Sequence, residues 1–164
     1  MTSVIRQDTT ITDIYNRHVD MVYKICFILL KNTDDTEDAV QSIFTKIIEK
    51  NITFESIEHE KAWLIVSSKN HCKNLLRHWW KKIIPFDNNL HDSSLSDDTS
   101  SILELVLNLP DKYKLPIYLY YYEGYSTDDI ANILSLNPST LRSRLKKGRE
   151  LLKIELGGEN YEPK

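Results

Sequence analysis

Apolar positions recur at helical spacing along most of the chain, and no run of β-branched residues alternates as a half-buried strand would. Residues 11–31 place Ile14, Val22, Ile25, Cys26, Leu29 and Leu30 on one side of a first helix, and Lys31-Asn32-Thr33 breaks it. A second helix is expected to open at Asp34, with Glu37 as its capping-box partner and Val40, Ile43, Phe44, Ile47 and Ile48 as its apolar stripe. Residues 51–60 read as a loop that carries Phe54 and Ile57 on a polar background. A third helix is expected from about Lys61 to Ile84, with Ala62, Trp63, Val66, Leu75, Leu76, Trp79 and Trp80 as its apolar residues. The pattern then stops. Residues 85–100 hold four Asp, four Ser and neither Lys nor Arg, so they read as a flexible acidic linker with little to bury. Periodicity resumes with a short helix over Ile102–Leu109, ended by Pro110, and a helix over about Lys112–Glu123. Pro116 is tolerable there only near the helix start, which asks for a beginning close to Tyr113. The predicted fold is therefore all-α: two small helical domains, 1–84 and 101–164, joined by the linker 85–100.

The most informative stretch is Gly124–Lys153. Ser126 is placed to cap a short helix whose apolar side is Ile130, Ala131, Ile133 and Leu134, with Asp129 able to reach back to a free N–H. Ser135-Leu136-Asn137 is the turn. Asn137 caps the next helix, and Pro138 takes its first position, where a missing N–H costs nothing. Leu141, Leu145, Gly148 and Leu152 form a buried side, and Arg142, Lys146, Arg149 and Lys153 a basic stripe facing away. This is the helix-turn-helix pattern, which makes the second domain a DNA-binding one. Ser139, Thr140, Arg142 and Ser143 stand where base edges are reached, and Lys146 and Arg149 where phosphates are.

Charge sharpens that reading. The 164-residue chain carries a net −3, yet residues 138–153 hold six Lys/Arg and a single Glu. A solvated helical hairpin does not call for such a local reversal, whereas a polyanion partner does. Residues 61–82 likewise hold six cations and no anion. Lys69, Lys73 and Arg77 wind along a helix that also carries tryptophans, a combination suited to single-stranded or melted nucleic acid. The opposite bias appears at Asp34, Asp35, Glu37 and Asp38. A helix dipole accounts for two such acids and leaves the others to another purpose.

Other chemistry finds little support. Cys26 and Cys72 sit singly among apolar neighbours, as reduced core residues do. His71, Cys72 and His78 lack a further cluster to complete a metal site, and Asp128-Asp129 cannot flank a substrate. No cofactor, metal or enzymatic activity is expected. No apolar run reaches the length of a membrane span and the N-terminus has no apolar signal region, so a cytoplasmic protein without membrane insertion is expected.

Taken together, these residues resemble the extracytoplasmic-function sigma factors, bacterial transcription initiation subunits, over roughly Asp13–Leu152. Glu37-Asp38-Ala39-Val40-Gln41 with Phe44 looks like the family's acid-acid-x-x-Gln-x-x-Phe helix, which implies docking on core RNA polymerase through Glu37, Asp38 and Gln41. Trp63-Leu64 followed by Asn70 and Arg77 looks like the helix that engages the upstream-ten promoter element, and Asn74 departs from the pattern, standing where many members carry Asp. The loop 51–60, with Phe54, lies where the family captures a flipped base. Asp129-Ile130-Ala131 and the run Ser139–Leu145 resemble the reader of the upstream-thirty-five element, with Ser135 where the turn commonly has Gly. The resemblance implies a sigma factor that takes core polymerase to promoter DNA, and an anti-sigma partner that covers one or both domains. The alternative is a stand-alone helix-turn-helix regulator whose first domain dimerises or senses a ligand.

Overall fold

The computed structural model describes residues 10–82 and 103–155, with side chains for 10–79 and 103–153. The linker 85–100, the start at residues 1–9, Ile84, and the side chains of Trp80 and Lys81 lie outside the described residues. Every regular element among the described residues is a helix. The chain divides into two compact units, Met1–Asp92 and Ser93–Lys164.

In the first unit, α1 (Ile11–Leu30), α2 (Thr33–Glu49) and α3 (Ile57–Lys82) pack pairwise around one core. A reciprocal capping box starts α1: the Asp13 N–H donates to Thr10 Oγ1 at 3.3 Å, and the Thr10 N–H donates to Asp13 Oδ2 at 3.0 Å. Lys31 ends the helix in the left-handed region, at φ 59°. The start of α2 corrects the expected one. Asn32, not Asp34, is the cap, its Oδ1 accepting from the Asp35 N–H at 3.0 Å. An Asn two residues earlier satisfies the orphan Asp35 N–H and places Asp34 and Asp35 inside the first turn rather than at the cap. Val22, Ile25, Cys26, Leu30, Val40, Ile43, Phe44 and Ile47 are buried as the spacing predicts. Ile48 is not, with 57% of its surface exposed.

The third helix also differs from its expected form. It begins at Ile57, so the loop shortens to residues 51–56, because Ser56 Oγ accepts the His59 N–H at 2.9 Å and opens a helix through residues that look loop-like. Its buried line is Leu64, Ile65, Ser68 and Cys72, while Ala62, Trp63, Val66, Leu75, Leu76 and Trp79 are only half-buried. Glu60 joins that line, 3% exposed, bonded to Arg17 and His18 of α1. Cys26 and Cys72 are free thiols, and the Cys72 thiol is pushed up by its hydrogen bond to Cys26 and by burial.

In the second unit, a helical segment over 103–107 (α4) precedes α5 (Asp111–Tyr121), α6 (Thr127–Leu134) and α7 (Pro138–Glu155). Here α5 is the centre. Its residues Lys114–Leu119 are all buried, as in a helix covered on every side. It starts at Asp111, earlier than Pro116 seemed to allow, so the proline lies past the first turn and the helix forgoes one internal bond. Lys114 is fully buried and reaches Asp111 Oδ1 at 3.2 Å. Gly148 explains how closely α7 crosses α5: a Cβ there would lie 2.8 Å from Ile117 Cγ1.

Candidate nucleic-acid and polymerase interfaces

Two short helices and a tight turn build the site of the second unit. Ser126 Oγ accepts the Asp129 N–H at 3.1 Å, a single capping bond rather than a reciprocal box. Ser135 ends α6 in the left-handed region at φ 53°, and the Leu136 N–H returns to the Ala131 carbonyl at 2.9 Å. This satisfies late carbonyls of α6 and reverses the chain within three residues. Asn137 then opens α7, its Oδ1 accepting from the Ser139 N–H at 3.0 Å and from the Ser139 hydroxyl at 2.8 Å. Leu141, Leu145 and Gly148 are buried, so the opposite face of α7 is turned outward. On it Ser139, Thr140, Arg142, Ser143 and Lys146 are exposed and Arg149 is half-buried. Among the described residues neither Arg142 nor Lys146 joins an ion pair, so both remain available to an anionic partner. The helix is narrow enough for a major groove, and this face offers only donors and small polar groups to it until Glu150.

The first unit carries two surfaces of different character. One lies on α3 and the loop before it. Phe54 meets Trp63 edge-on with ring centres 5.5 Å apart, and His59 at the same distance on another side. At about 100° per residue, His59, Trp63, Asn70, Lys73, Asn74 and Arg77 fall on one side of α3, and Lys69 falls at its flank. Asn70, Lys73, Asn74 and Arg77 are exposed, Lys69 half-buried. Rings stand at one end of this side, and beyond Val66 it carries cations and amides.

The other surface lies between α1 and α2. Glu37, Asp38 and Gln41 are all exposed there. Glu37 and Gln41 line a mostly apolar cleft of about 660 Å³, together with Tyr15, Val40, Phe44 and Ile48, while Asp38 stands outside it. Sequence reasoning missed Tyr15, 44% exposed with its ring 5.0 Å from that of Phe44, and mistook Ile48 for core. The acids bear the mark of crowding, since burial first, and then Asp38 and Asp34, push the Asp35 carboxyl above its ordinary value.

The candidate metal residues do not gather. His71 is half-buried, its imidazole held below the usual value by burial and by Lys46, and Cys72 points into the core toward Cys26. Among the described residues no group of three or more His, Cys, Asp or Glu side chains could hold a metal ion. No helix among them is long and apolar enough to cross a membrane.

The described helices thus form a helix-turn-helix unit and a three-helix unit that bears a cationic aromatic strip and an acidic edge. Comparison with known proteins makes the class specific. Residues 14–82 match the family description Sigma-70 region 2, and residues 99–152 match Sigma-70, region 4. The chain is 31% identical to the ECF RNA polymerase sigma-E factor of Haemophilus influenzae over 142 residues, covering 75% of each chain. It is 28% identical to the ECF RNA polymerase sigma factor SigW of Bacillus subtilis, covering 88% of this chain and 87% of that one. Its fold is similar to that of the sigma factor RpoE in complex with the anti-sigma factor NepR from Bartonella quintana, with a TM-score of 0.73 at 22% identity, covering 89% and 96% of the two chains. The chain belongs to the extracytoplasmic-function sigma factors of the sigma-70 family, with regions 2 and 4. It directs promoter-specific initiation by RNA polymerase and is itself no enzyme, which decides against a stand-alone regulator.

Proposed function

We propose a division of labour among the three surfaces. Glu37, Asp38 and Gln41 dock on core RNA polymerase. Phe54, Lys69, Asn70, Lys73, Asn74 and Arg77 hold the melted upstream-ten strand. Ser139, Thr140, Arg142, Ser143, Lys146 and Arg149 read the upstream-thirty-five duplex. Residues 1–84 and 101–164 act as the two domains, and the acidic segment 85–100 joins them in the chain. The protein works in the cytoplasm, where polymerase and promoter DNA are. A related sigma factor is held by an anti-sigma factor in its solved structure, and the same class of partner is proposed for this chain.

The observation that carries this reading is the separation of charge within the first unit. Exposed acids open α2, and exposed cations line α3. A protein partner and a nucleic-acid partner can therefore be held on different helices without competing for one patch. The test is Asp38→Lys. It changes an exposed charge outside the cleft, so folding stays intact while affinity for core polymerase falls by about tenfold or more. Wild-type affinity would remove Asp38 from the interface.

A further inference from the structure

Glu60 is a charged side chain that the three surfaces leave unused. It is 3% exposed, and its carboxylate sits between two successive side chains of α1. Arg17 donates to Oε1 through Nε at 3.0 Å and to Oε2 through Nη2 at 3.2 Å, and Oε1 lies 2.7 Å from His18 Nε2. Successive residues diverge by about 100° around a helix, so a carboxylate held by both is fixed across α1 as well as along it. A buried ion set is a weak source of stability, because desolvation offsets most of the attraction and apolar side chains of similar volume often serve as well. What it adds is direction. Apolar packing between helices is non-directional, whereas three bonds to one carboxylate fit a single placement of α3 on α1.

That placement bears on function because of what else the two helices carry. Helix α1 lines the cleft beside Glu37 and Gln41 of α2, through Tyr15, Val19 and Tyr23. Helix α3 carries the strip of Trp63, Asn70, Lys73, Asn74 and Arg77. A slip of α3 by one turn would move that strip by about 5.4 Å relative to the cleft, further than a hydrogen bond can span. We propose that Glu60 is a positioning residue for promoter opening: seated between Arg17 and His18, it fixes α3 in one register on α1 and so sets the strip at a fixed offset from the surface that docks on polymerase. The proposal rests on the reading that the strip holds melted DNA.

The test uses the full chain with core polymerase at fixed salt. It reads the ratio of transcription from a closed duplex promoter to transcription from a template already mismatched across the upstream-ten region. Both are measured on one preparation of each variant, so a lower folded fraction cancels and a purely structural role leaves the ratio unmoved. Glu60→Asp keeps the charge and shortens the reach by one methylene, so it cannot meet both partners from the same place. Glu60→Gln loses the charge but keeps the reach and the oxygen that Arg17 Nε and His18 share. Glu60→Asp is expected to lower the ratio by about tenfold, the scale of one lost hydrogen bond, and Glu60→Gln to stay within about twofold of wild type. Arg17→Leu, at a side chain 34% exposed, removes one side of the seat and lowers the ratio in the same direction, which decides the matter if Glu60→Asp does not fold. An unchanged ratio in either Glu60→Asp or Arg17→Leu overturns the assignment, as does a Glu60→Gln ratio that falls as far as that of Glu60→Asp. The underlying reading fails separately, if Lys73→Ala combined with Arg77→Ala leaves the ratio unchanged. A lowered ratio in that pair beside an unchanged Glu60→Asp ratio refutes the role of Glu60 alone.

Discussion

Glu60 Oε1 lies 2.7 Å from His18 Nε2 in the core of the first unit, with Arg17 completing the set through Nε at 3.0 Å. One carboxylate from α3 thus holds two successive side chains of α1, and it does so one residue after His59 at the head of the α3 strip. Glu60→Gln keeps the shape and removes the charge both partners face. It is expected to lower the unfolding free energy by about 3 kcal/mol, the low end for a broken buried pair, since Arg17 retains 34% exposure. Urea titration of the full chain measures it. A loss under a few tenths would mean the set contributes little to holding α1 on α3.

Gly148 and Ile117 make the second close relationship. Gly148→Ala adds about 1 kcal/mol of helix propensity but forces its methyl group against an Ile117 side chain that is 1% exposed. A net loss of about 1 kcal/mol is expected. In an Ile117→Ala background the same change becomes stabilising, because the obstructing atoms are gone and the new methyl fills part of the void. Equal effects in both backgrounds would show that the crossing of α5 and α7 does not require glycine.

Two carboxylates predict opposite responses to pH. The Asp35 carboxyl is raised by burial and by Asp38 and Asp34, so the folded state binds its proton more tightly than the unfolded chain does. Its support is present below the unfolded value of about 3.9 and lost as pH rises through the folded one. At pH 7 Asp35 opposes folding, and Asp35→Asn is expected to raise the urea midpoint there, by an amount that shrinks toward pH 4. Asp13 is held low by the Thr10 backbone N–H and then by the Thr10 hydroxyl. Its support is present at neutral pH and lost as pH falls below about 4, so Asp13→Asn destabilises at pH 7 and ceases to matter in stronger acid. Shifts of the same sign in the two variants would contradict this account.

The helices and their caps were legible where one residue type does one job. Ser126, Asn137 and Pro138 mark α6 and α7 because a hydroxyl, an amide and a missing N–H each suit one place at a helix start. The beginning of α3 was not legible: Glu58, His59 and Glu60 look like loop, and the carboxylate that is buried there depends on Arg17 and His18 more than forty residues away in sequence. Nor could spacing tell that Ile48 faces water while Tyr15 flanks a cleft, since apolar residues score alike whether they fill a core or rim a docking surface. The burial of Lys114 similarly depends on α5 being covered on every side, which periodicity within α5 alone does not reveal. Charge, by contrast, was readable from composition, because a local excess of six cations in a chain of net −3 persists whatever the packing.

On α7, Arg142 and Lys146 are expected to fail differently. Arg142→Ala, close to the helix start, should cost about 1–3 kcal/mol and relax preference at one or two base pairs. Lys146→Ala should weaken every duplex alike and reduce the salt slope by about one. Binding of promoter variants across a salt series separates the two. Equal weakening on every sequence by both variants would refute the division between base and phosphate contacts.

The central claim is that the α3 strip captures melted DNA, and one comparison tests it directly. Opening a duplex costs a few kcal/mol, which captured bases must offset. The Lys73→Ala, Arg77→Ala variant, assayed with core polymerase at fixed salt, is therefore expected to lose transcription from closed duplex promoters. It should regain part of that loss on templates already mismatched across the upstream-ten region, where opening is no longer required. Equal defects on both templates, or wild-type activity on both, would contradict the account.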